Sequence, residues 1–334
     1  MTAHPTAHPT AATRDAGPGS TDSMKVTRVP WQIKFTALAF IWGSSFLLMK
    51  VGLRSLAPLQ ISGLRILSGA AVLLLLLTAA RGRLPRDRRI WGHLMVTGFF
   101  LGSLPFSLFA LGEERVSSAL AGIGNSVTPI ATVLFSLLLL KHDKIEARKI
   151  VGVLIGFVGV LVILQPWESQ GRPDLLGFGI TLVAGTSYGV GWTYTKRFLT
   201  KADFGGLTLP AAQMLTSAGQ MLVALLIWWL TQRTHLSLAA PWSLHANTDG
   251  GSVLWPVLAV LALGVVGTGI AMSFQYDVVR AAGPTVGASV TYLIPVVSVA
   301  LGVLVLHERL QWPQFVGAAV VLTAAVLIGR SRRR

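Results

Sequence analysis

The chain has 334 residues, of which 52% are hydrophobic and only 12% are charged, and it contains no cysteine. A soluble protein of this size carries about twice that charged fraction, and the absence of cysteine excludes disulfides, thiolate catalysis and cysteine-ligated metals. The formal net charge of +15 does not indicate nucleic-acid binding, because the basic residues are spread over the polar segments between apolar runs and form no single patch.

Residues 1–30 are predicted to form a disordered tail. They contain the duplicated TAHPTAHPT followed by Gly, Pro, Ser and Thr, and such a composition buries too little apolar surface to fold. They also lack the basic region and apolar core of a cleaved signal peptide. Met24 begins the sequence MKVTRVPW, which is more typical of a membrane-protein start, so Met1 and Met24 are both candidate starts.

After the tail, apolar runs of about 18 residues or more recur along almost the whole chain, and each can cross about 30 Å of hydrocarbon as a helix. The sequence therefore predicts an all-α integral membrane protein with ten transmembrane helices and no large soluble domain. In chain order we expect these helices at residues 32–51, 57–80, 91–111, 117–140, 147–165, 174–195, 207–230, 252–276, 284–306 and 312–329.

The distribution of basic residues predicts the orientation of these helices. If the N-terminus lies in the cytoplasm, the inside segments contain clusters of Lys and Arg, such as those within 81–89, 141–149 and 330–334. Each outside segment then contains a single arginine, namely Arg54, Arg115, Arg172, Arg233 and Arg309. Because an excess of positive charge marks the cytoplasmic side, we expect a multi-pass protein of the cell membrane with both termini in the cytoplasm.

The second half of the chain repeats the first. TPIATVLFSLLLL in the first half matches IPVVSVALGVLVL in the second, with Pro129 and Pro295 at the same place, and a Gly/Ala-rich span closes each half. Five spans per half is an odd number, so the second half must enter the membrane from the opposite side. We therefore expect two inverted five-helix repeats, at 31–166 and 174–330, with a substrate path between them.

Three short motifs accompany this layout. They are Trp42-Gly43 with Lys50 in the first span, Pro58 with Arg65 in the second, and Tyr188-Gly189 with Lys196, which repeats the first motif in the sixth span. With the repeat, they give residues 30–330 a resemblance to the EamA-type transporters of the drug/metabolite transporter superfamily. His142-Asp143 and Gln213 depart from that pattern, in which Glu and Arg are common at these places. The resemblance implies a small-molecule permease, often an exporter of amino acids or metabolites, and names no substrate.

Arg65 is the one basic residue well inside a predicted span, and polar side chains in that environment face protein or a water-filled cavity. It lies about 12 Å from the outer end of its helix by helical rise. It is a candidate clamp for a substrate carboxylate, or a gate. The alternative is that it snorkels to the outer interface from a peripheral second span.

Two further groups of side chains are candidates for substrate binding. Trp42, Tyr188 and Trp192 lie in the repeat-related first and sixth spans, where they would either stack on a substrate or serve helix packing and the lipid interface. Asn125 and Thr291 precede the matched prolines, whose missing N–H is expected to free the carbonyls of these two residues. They would form a polar pair or hold helices together. Further substrate-binding candidates are Ser45, Gln275 and Tyr292, and the candidate hinges are Pro129 and Pro295.

Acidic residues are absent from the middle of every predicted span, and Glu113 and Glu114 are placed at the outer end of the third. Proton- or sodium-coupled carriers commonly use a buried carboxylate. The sequence therefore favours uncoupled or exchange transport, with coupling through Glu113, Glu114 or His93 as the alternative.

Two repeat-equivalent pairs resemble a metal or acid/base set, namely His142-Asp143 and His307-Glu308. The inverted repeat places them on opposite faces of the membrane, so they cannot meet. We therefore expect them to cap helix ends and to lie at the interface. Lys50 and Lys196 are likewise expected to snorkel from the ends of their spans.

Together these patterns predict a secondary transporter, an exporter or facilitator of small organic metabolites such as amino acids or drugs. It would work by alternating access through a central cavity formed mainly by spans 1, 3, 4, 6, 8 and 9. The alternatives are a lipid or lipid-carrier flippase, which shares the architecture, and an integral-membrane lipid-modifying enzyme, which needs clustered catalytic residues that the sequence lacks. We expect a small-molecule substrate and membrane lipids as partners, and no cofactor, metal site, nucleic acid or ATPase partner; the oligomeric state stays open.

Overall fold

The computed structural model of the protein describes residues 29–139, 147–165, 173–199, 206–233, 240–282 and 290–329. Residues 1–28 of the predicted tail and the His142-Asp143 pair lie outside these ranges. All regular secondary structure in the described part is helical. Inner and outer denote the cytoplasmic and external sides of the predicted orientation.

The α-helices of the described part follow the predicted apolar runs. They are α1 (Trp31–Gly52), α2 (Pro58–Ala79), α3 (Arg88–Gly98), α4 (Leu104–Glu113), α5 (Ser118–Gly124), α6 (Thr128–Leu139), α7 (Ala147–Leu164), α8 (Leu175–Phe198), α9 (Thr208–Gln232), α10 (Leu254–Gly264), α11 (Ala271–Ala282), α12 (Ile294–Val305) and α13 (Trp312–Gly329).

Several of these helices, alone or joined end to end, are long and apolar enough to cross a membrane. Within the described ranges there are seven such stretches: Trp31–Gly52, Pro58–Ala79, Arg88–Glu113, Ser118–Leu139, Leu175–Phe198, Thr208–Gln232 and Leu254–Val278. Shorter apolar helices occur at Leu154–Ile163, Val290–Val305 and Trp312–Ala324. The all-helical, multi-span architecture agrees with the sequence, whereas the count of ten spans stays a prediction.

The structure interrupts four spans that the sequence predicted as single helices: the third, fourth, eighth and ninth. π-Helical segments, Phe99–Ser103 and Val265–Ile270, join α3 to α4 and α10 to α11, and 3-10 turns precede α6 and α12. In α4, α6 and α12 the second residue is a proline: Pro105, Pro129 and Pro295. Proline has no N–H to continue a preceding helix but fits the first turn of a new one, so the third, fourth and ninth spans restart at the prolines.

The helices of the two predicted halves interlock. The first-half helix α1 packs against α10, α11 and α12, and the second-half helix α8 packs against α4 and α6. Gly43 of α1 permits one of these contacts, because a Cβ built on it would lie only 2.4 Å from the Cβ of Val297 in α12. The space enclosed between the halves is therefore bordered by helices of both.

The fifth and tenth predicted spans, α7 and α13, pack closely against each other. A Cβ on Gly159 would lie 3.0 Å from the carbonyl oxygen of Gly317, and one on Gly317 would lie 2.7 Å from that of Gly159. Small residues at such positions let transmembrane helices approach. Leu154 and Phe157 on α7 remain exposed, as expected of side chains that face lipid.

Candidate functional site

A cavity of about 680 Å³ lies between the helices of the two halves. This volume is in the range that holds small organic ligands. Its wall is formed by α1, α2, α4, α6, α8, α9, α11 and the first residue of α12, and by the π-helical segments and 3-10 turns beside them. The sequence predicted a cavity formed mainly by spans 1, 3, 4, 6, 8 and 9, with Arg65 as a candidate from the second. In the structure α2 and α9, the second and seventh spans, both line the cavity, so the alternative of a peripheral second span was wrong.

The structure brings the predicted substrate-binding residues together. The side chains that line the cavity include Trp42, Ser45, Arg65, Asn125, Tyr188, Trp192, Gln275, Thr291 and Tyr292, together with the candidate hinge Pro129. The other candidate hinge, Pro295, is buried at the start of α12 and lies outside the described lining. That these residues bind a substrate stays a prediction.

Arg65 is held inside the protein. Its side chain is only 7% exposed, its Nε donates to the Thr268 hydroxyl at 3.2 Å, and its guanidinium carbon lies 3.7 Å from the centre of the Phe106 ring. The alternative of snorkelling to the outer interface was therefore wrong. No carboxylate forms an ion pair with Arg65 in the described part of the chain, so the guanidinium charge is available to a ligand in the cavity.

Trp42 bridges the two halves across the cavity wall. Its indole N–H donates to the carbonyl of Gly267 at 3.1 Å. Gly267 lies in the π-helical segment Val265–Ile270, and such segments are frequent at functional sites because their wider turns redirect backbone groups. The bond fixes the orientation of the indole ring at the edge of the cavity.

The polar turn before α6 differs from its prediction in one respect. The sequence predicted that Pro129 would leave the carbonyl of Asn125 free. In the structure the N–H of Thr128 bonds to this carbonyl in a 3-10 turn, so the prediction was wrong. A tighter turn satisfies it because the i+3 donor is in reach when the i+4 donor is missing. The Thr128 hydroxyl donates to the carbonyl of Gly185 at 2.9 Å, which ties the turn to α8.

Sequence reasoning missed several lining residues. Phe106, Phe109 and Thr268 line the cavity beside Arg65, and Gln213 lines it from α9. Lys196, which was expected to snorkel, is exposed and lines the cavity near the inner end of α8. Of these residues, only Thr268 lies in a π-helical segment, where the local change of period alters which side chains share a face.

The charges of the cavity wall have one sign. The described lining contains the basic residues Arg65 and Lys196 and neither Asp nor Glu. An apolar wall lowers the local dielectric and strengthens the field of such charges. In the described lining, the electrostatic field of these charges therefore favours a negatively charged group.

The outer end of the cavity is sealed by bonds between helices. Lys50 donates to the carbonyls of Glu113 and Val116 at 2.5 and 3.0 Å. The prediction that Lys50 snorkels was therefore wrong. The Glu308 carboxylate accepts from the N–H groups of Ser118 and Ala119 at 2.8 and 3.0 Å. Glu308 is thus a helix cap, as predicted, but it caps α5 in the other half of the chain.

A turn after α12 aims Glu308 at α5. His307 has a φ of 54°, in the left-handed region, and the N–H of Glu308 returns to the carbonyl of Gly302 at 3.0 Å. A left-handed residue at a helix end reverses the chain direction. The side chain that follows therefore points back to the helix bundle.

A strap formed by residues 240–253 covers the outer ends of α1 and α2. Gln60 donates to the carbonyls of Pro241 and Ser243 at 2.9 and 2.8 Å, and the N–H of Thr248 bonds to the carbonyl of Arg54. In contrast, the cavity reaches the inner ends of its helices, where Ser136, Lys196, Leu209 and Tyr276 line it. The described conformation is closed at the outer end.

Comparison with known proteins agrees with this architecture. The sequence profile of the EamA-like transporter family matches residues 30–165 and 175–330. The chain belongs to this family. It is 28% identical over 294 residues to "Uncharacterized inner membrane transporter YedA" of Escherichia coli strain K12, with 87% of this chain and 88% of that protein covered.

A second relative from the same organism is named "Probable amino-acid metabolite efflux pump"; it is 25% identical, with 85% of this chain and 89% of the relative covered. A solved crystal structure also superposes with a TM-score of 0.58, covering 89% of this chain and 95% of the other at 19% identity. That likeness concerns the fold alone. By family and architecture, the chain is a multi-pass membrane transporter.

Proposed function

We propose that the protein is a ten-span secondary transporter that moves small organic molecules bearing a carboxylate, amino acids included, by alternating access. The two repeats, 31–166 and 174–330, would lie inverted in the cell membrane with both termini in the cytoplasm. The observation that carries this proposal is the cavity at the interface of the halves, sealed at the outer end and extended to the inner ends of its helices.

The way the seal is built supports alternating access. The contacts that close the outer end join α5 of the first half to α12 and Glu308 of the second. Movement of one half against the other would break them and open the cavity outward, which is how inverted repeats exchange their two conformations. The helix interruptions beside Pro129 and Pro295 supply places where the halves can bend.

The described lining supports the carboxylate preference. Arg65 offers a guanidinium held in place by Phe106 and Thr268, and the described wall contains no acidic residue. Trp42, Tyr188 and Phe109 provide apolar faces for the remainder of the substrate. The name of the amino-acid metabolite efflux relative supports the same substrate class.

Three probes with one phenylpropyl skeleton test this class: 3-phenyllactate as the anion, L-phenylalanine as the zwitterion and phenylalaninol as the cation. Flux into and out of proteoliposomes is measured with protein-free liposomes subtracted. We expect saturable flux of the two carboxylates and none of the cation. Arg65→Gln should lower carboxylate flux at least tenfold, since truncating one partner of a buried charge contact costs about 2–5 kcal/mol.

Arg54→Gln is the matched control, because Arg54 is an exposed arginine near the outer end of α1 and lies outside the described lining. Trp42→Ala is compared in the same way with Trp255→Ala, which removes an exposed indole. Equal flux of phenylalaninol, or equal loss in Arg65→Gln and Arg54→Gln, would reject the carboxylate class. Movement of labelled lipid without flux of any probe would favour a flippase.

A further inference from the structure

Glu113 is a buried acid that the sequence placed at an exposed helix end. It ends α4 one helical turn beyond Phe109, whose ring lines the cavity. Its side chain is 0% exposed, and neither carboxylate oxygen has a hydrogen-bond partner in the described part of the chain. The spacing of four residues puts both side chains on one face of α4, so the carboxyl group lies behind the cavity wall.

None of the described groups around Glu113 donates a hydrogen bond to its carboxylate. The charged groups in electrostatic reach are Lys50 of α1, Arg65 of α2 and Glu308, which follows α12. Lys50 donates to backbone carbonyls, Arg65 donates to Thr268, and Glu308 is itself an anion. Burying an ion without such bonds costs several kcal/mol. The neutral acid is therefore the form that fits the described conformation.

We propose that Glu113 is a proton-binding site that is filled together with an anionic substrate at Arg65, so that a proton and an organic anion cross the membrane in the same direction. This inference rests on the proposed function, because it takes the cavity as the substrate site. It replaces the uncoupled transport that the sequence favoured with proton-coupled transport.

The coupling has a definite sign. An ionised Glu113 and a substrate carboxylate both gain from the positive charge of Arg65, and they repel each other. A substrate bound at Arg65 therefore strengthens proton binding at Glu113, and by reciprocity the proton strengthens substrate binding. Substrate affinity should be highest at low pH and should fall as pH rises, because the deprotonated carboxylate competes for Arg65.

The outer seal controls where Glu113 meets water. Lys50 bonds to the carbonyls of Glu113 and Val116, and Glu308 bonds to the first N–H groups of α5. These bonds hold the turn between α4 and α5, which directly follows Glu113. Opening the seal would expose the carboxyl group to the outer side, where it exchanges its proton. In the described conformation the seal isolates it from that side, while the cavity extends to the inner end.

An infrared measurement tests the site without transport. The C=O stretch of a protonated carboxyl group absorbs apart from that of a carboxylate, and it is recorded for the full chain in lipid at neutral pH with 3-phenyllactate present. We expect a band that Glu113→Gln removes and Glu114→Gln keeps. Glu114 is the matched control because it is the adjacent acid at the same helix end and its side chain is exposed. A band that survives in Glu113→Gln would overturn the proposal.

A second measurement tests the coupling in proteoliposomes. An outside-acid gradient should raise wild-type accumulation of 3-phenyllactate about tenfold, and substrate affinity should fall about five- to tenfold from pH 6 to pH 8. Glu113→Gln should lose both responses, and Glu114→Gln and Glu113→Asp should keep them. The aspartate variant keeps an acid at the site, so it also shows whether a failure of Glu113→Gln is only a folding defect.

The outcomes separate the two proposals. Saturable wild-type flux that ignores the pH gradient rejects the proton site and leaves the transporter standing. No saturable flux of 3-phenyllactate in the wild type rejects the proposed substrate class and the coupling with it. A gradient response that persists in Glu113→Gln shows that another group carries the proton and overturns the role of Glu113.

Discussion

The outer and inner ends of the cavity are held by different kinds of contact. At the outer end, Glu308 caps α5 and Ser298 donates to the carbonyl of Ser118 at 3.0 Å, all between the two halves. Near the inner end, a Lys34–Asp277 ion pair joins α1 to α11, and the Asp277 side chain is 45% exposed. Bonds to backbone groups inside a helix contact hold their geometry better than an exposed ion pair does.

This difference concerns how firmly each end of the described helices is held. The outer contacts act on backbone groups and fit only one arrangement of α5 and α12, so they form or break together. The ion pair at the inner end can persist through small movements. We therefore expect changes at the outer end to alter stability and access strongly, and changes at the inner end to alter them little.

Removing Lys50 should have the largest effect. Lys50→Met leaves the carbonyls of Glu113 and Val116 without their charged donor, and bonds to charged groups contribute about 1.5–3 kcal/mol. We expect the free energy of unfolding in detergent to fall by about 2–3 kcal/mol. Arg54→Met is the control, since it removes an exposed ion pair with Asp249. Equal effects of the two changes would mean that the bonds of Lys50 to these carbonyls stabilise the fold no more than an exposed ion pair does.

A methyl group between α5 and α12 should have the next largest effect. A Cβ on Gly122 would lie 2.5 Å from the Cβ of Ser298, so Gly122→Ala must push the helices apart. Overpacking costs about 1–3 kcal/mol, and we expect a loss of about 2 kcal/mol. Gly219→Ala is the control because no atom lies within 4 Å of its new Cβ; a comparable loss there would remove the argument from close packing.

Weakening the cap on α5 should open the outer end. The natural chain has no cysteine, so the thiol introduced by Ser45→Cys reports access to the cavity alone. Glu308→Gln keeps the shape but loses the negative charge, which costs roughly 1 kcal/mol at a helix N-terminus, and we expect labelling of that thiol from the outer side to become about five- to tenfold faster. Arg309→Gln serves as the neighbouring control, and unchanged labelling in Glu308→Gln would show that the cap does not hold the seal.

The ion pair at the inner end should contribute least. A double-mutant cycle of Lys34→Met and Asp277→Asn should give a coupling of about 0.5 kcal/mol, because partly exposed pairs are screened by water and salt. In the Ser45→Cys background, the same variants should leave outer labelling of the introduced thiol unchanged. A coupling above about 2 kcal/mol would show that the inner end is held as firmly as the outer end.

Much of the candidate site could be predicted from residue type and depth. Arg65, Trp42 and Asn125 stand out because polar and aromatic side chains are costly at mid-membrane unless they face protein or water, and all three line the cavity. Phe106 and Gln213 were missed because many residues of these types face helix contacts or lipid. Thr268 was missed because a π-helical segment changes the helical period locally.

For Glu113 and Lys50, in contrast, the prediction from sequence was wrong. Both lie near span ends, where sequence patterns predict exposed or snorkelling side chains. In the structure, Glu113 is fully buried and Lys50 bonds to backbone carbonyls. Whether a helix end meets water depends on what covers it, and the covering groups come from α12, its following turn and the strap, which are far away in the sequence.

The sequence by itself determined the helical, membrane-embedded class and the internal repeat, because these follow from apolar run length and from matching patterns along the chain. It also determined which mid-span side chains were candidates for binding. Only the tertiary structure decided which end of the cavity is closed, that Glu308 caps a helix of the other half, and that Glu113 is buried. Those properties depend on contacts between residues about 190 positions apart, and no local pattern encodes such a contact.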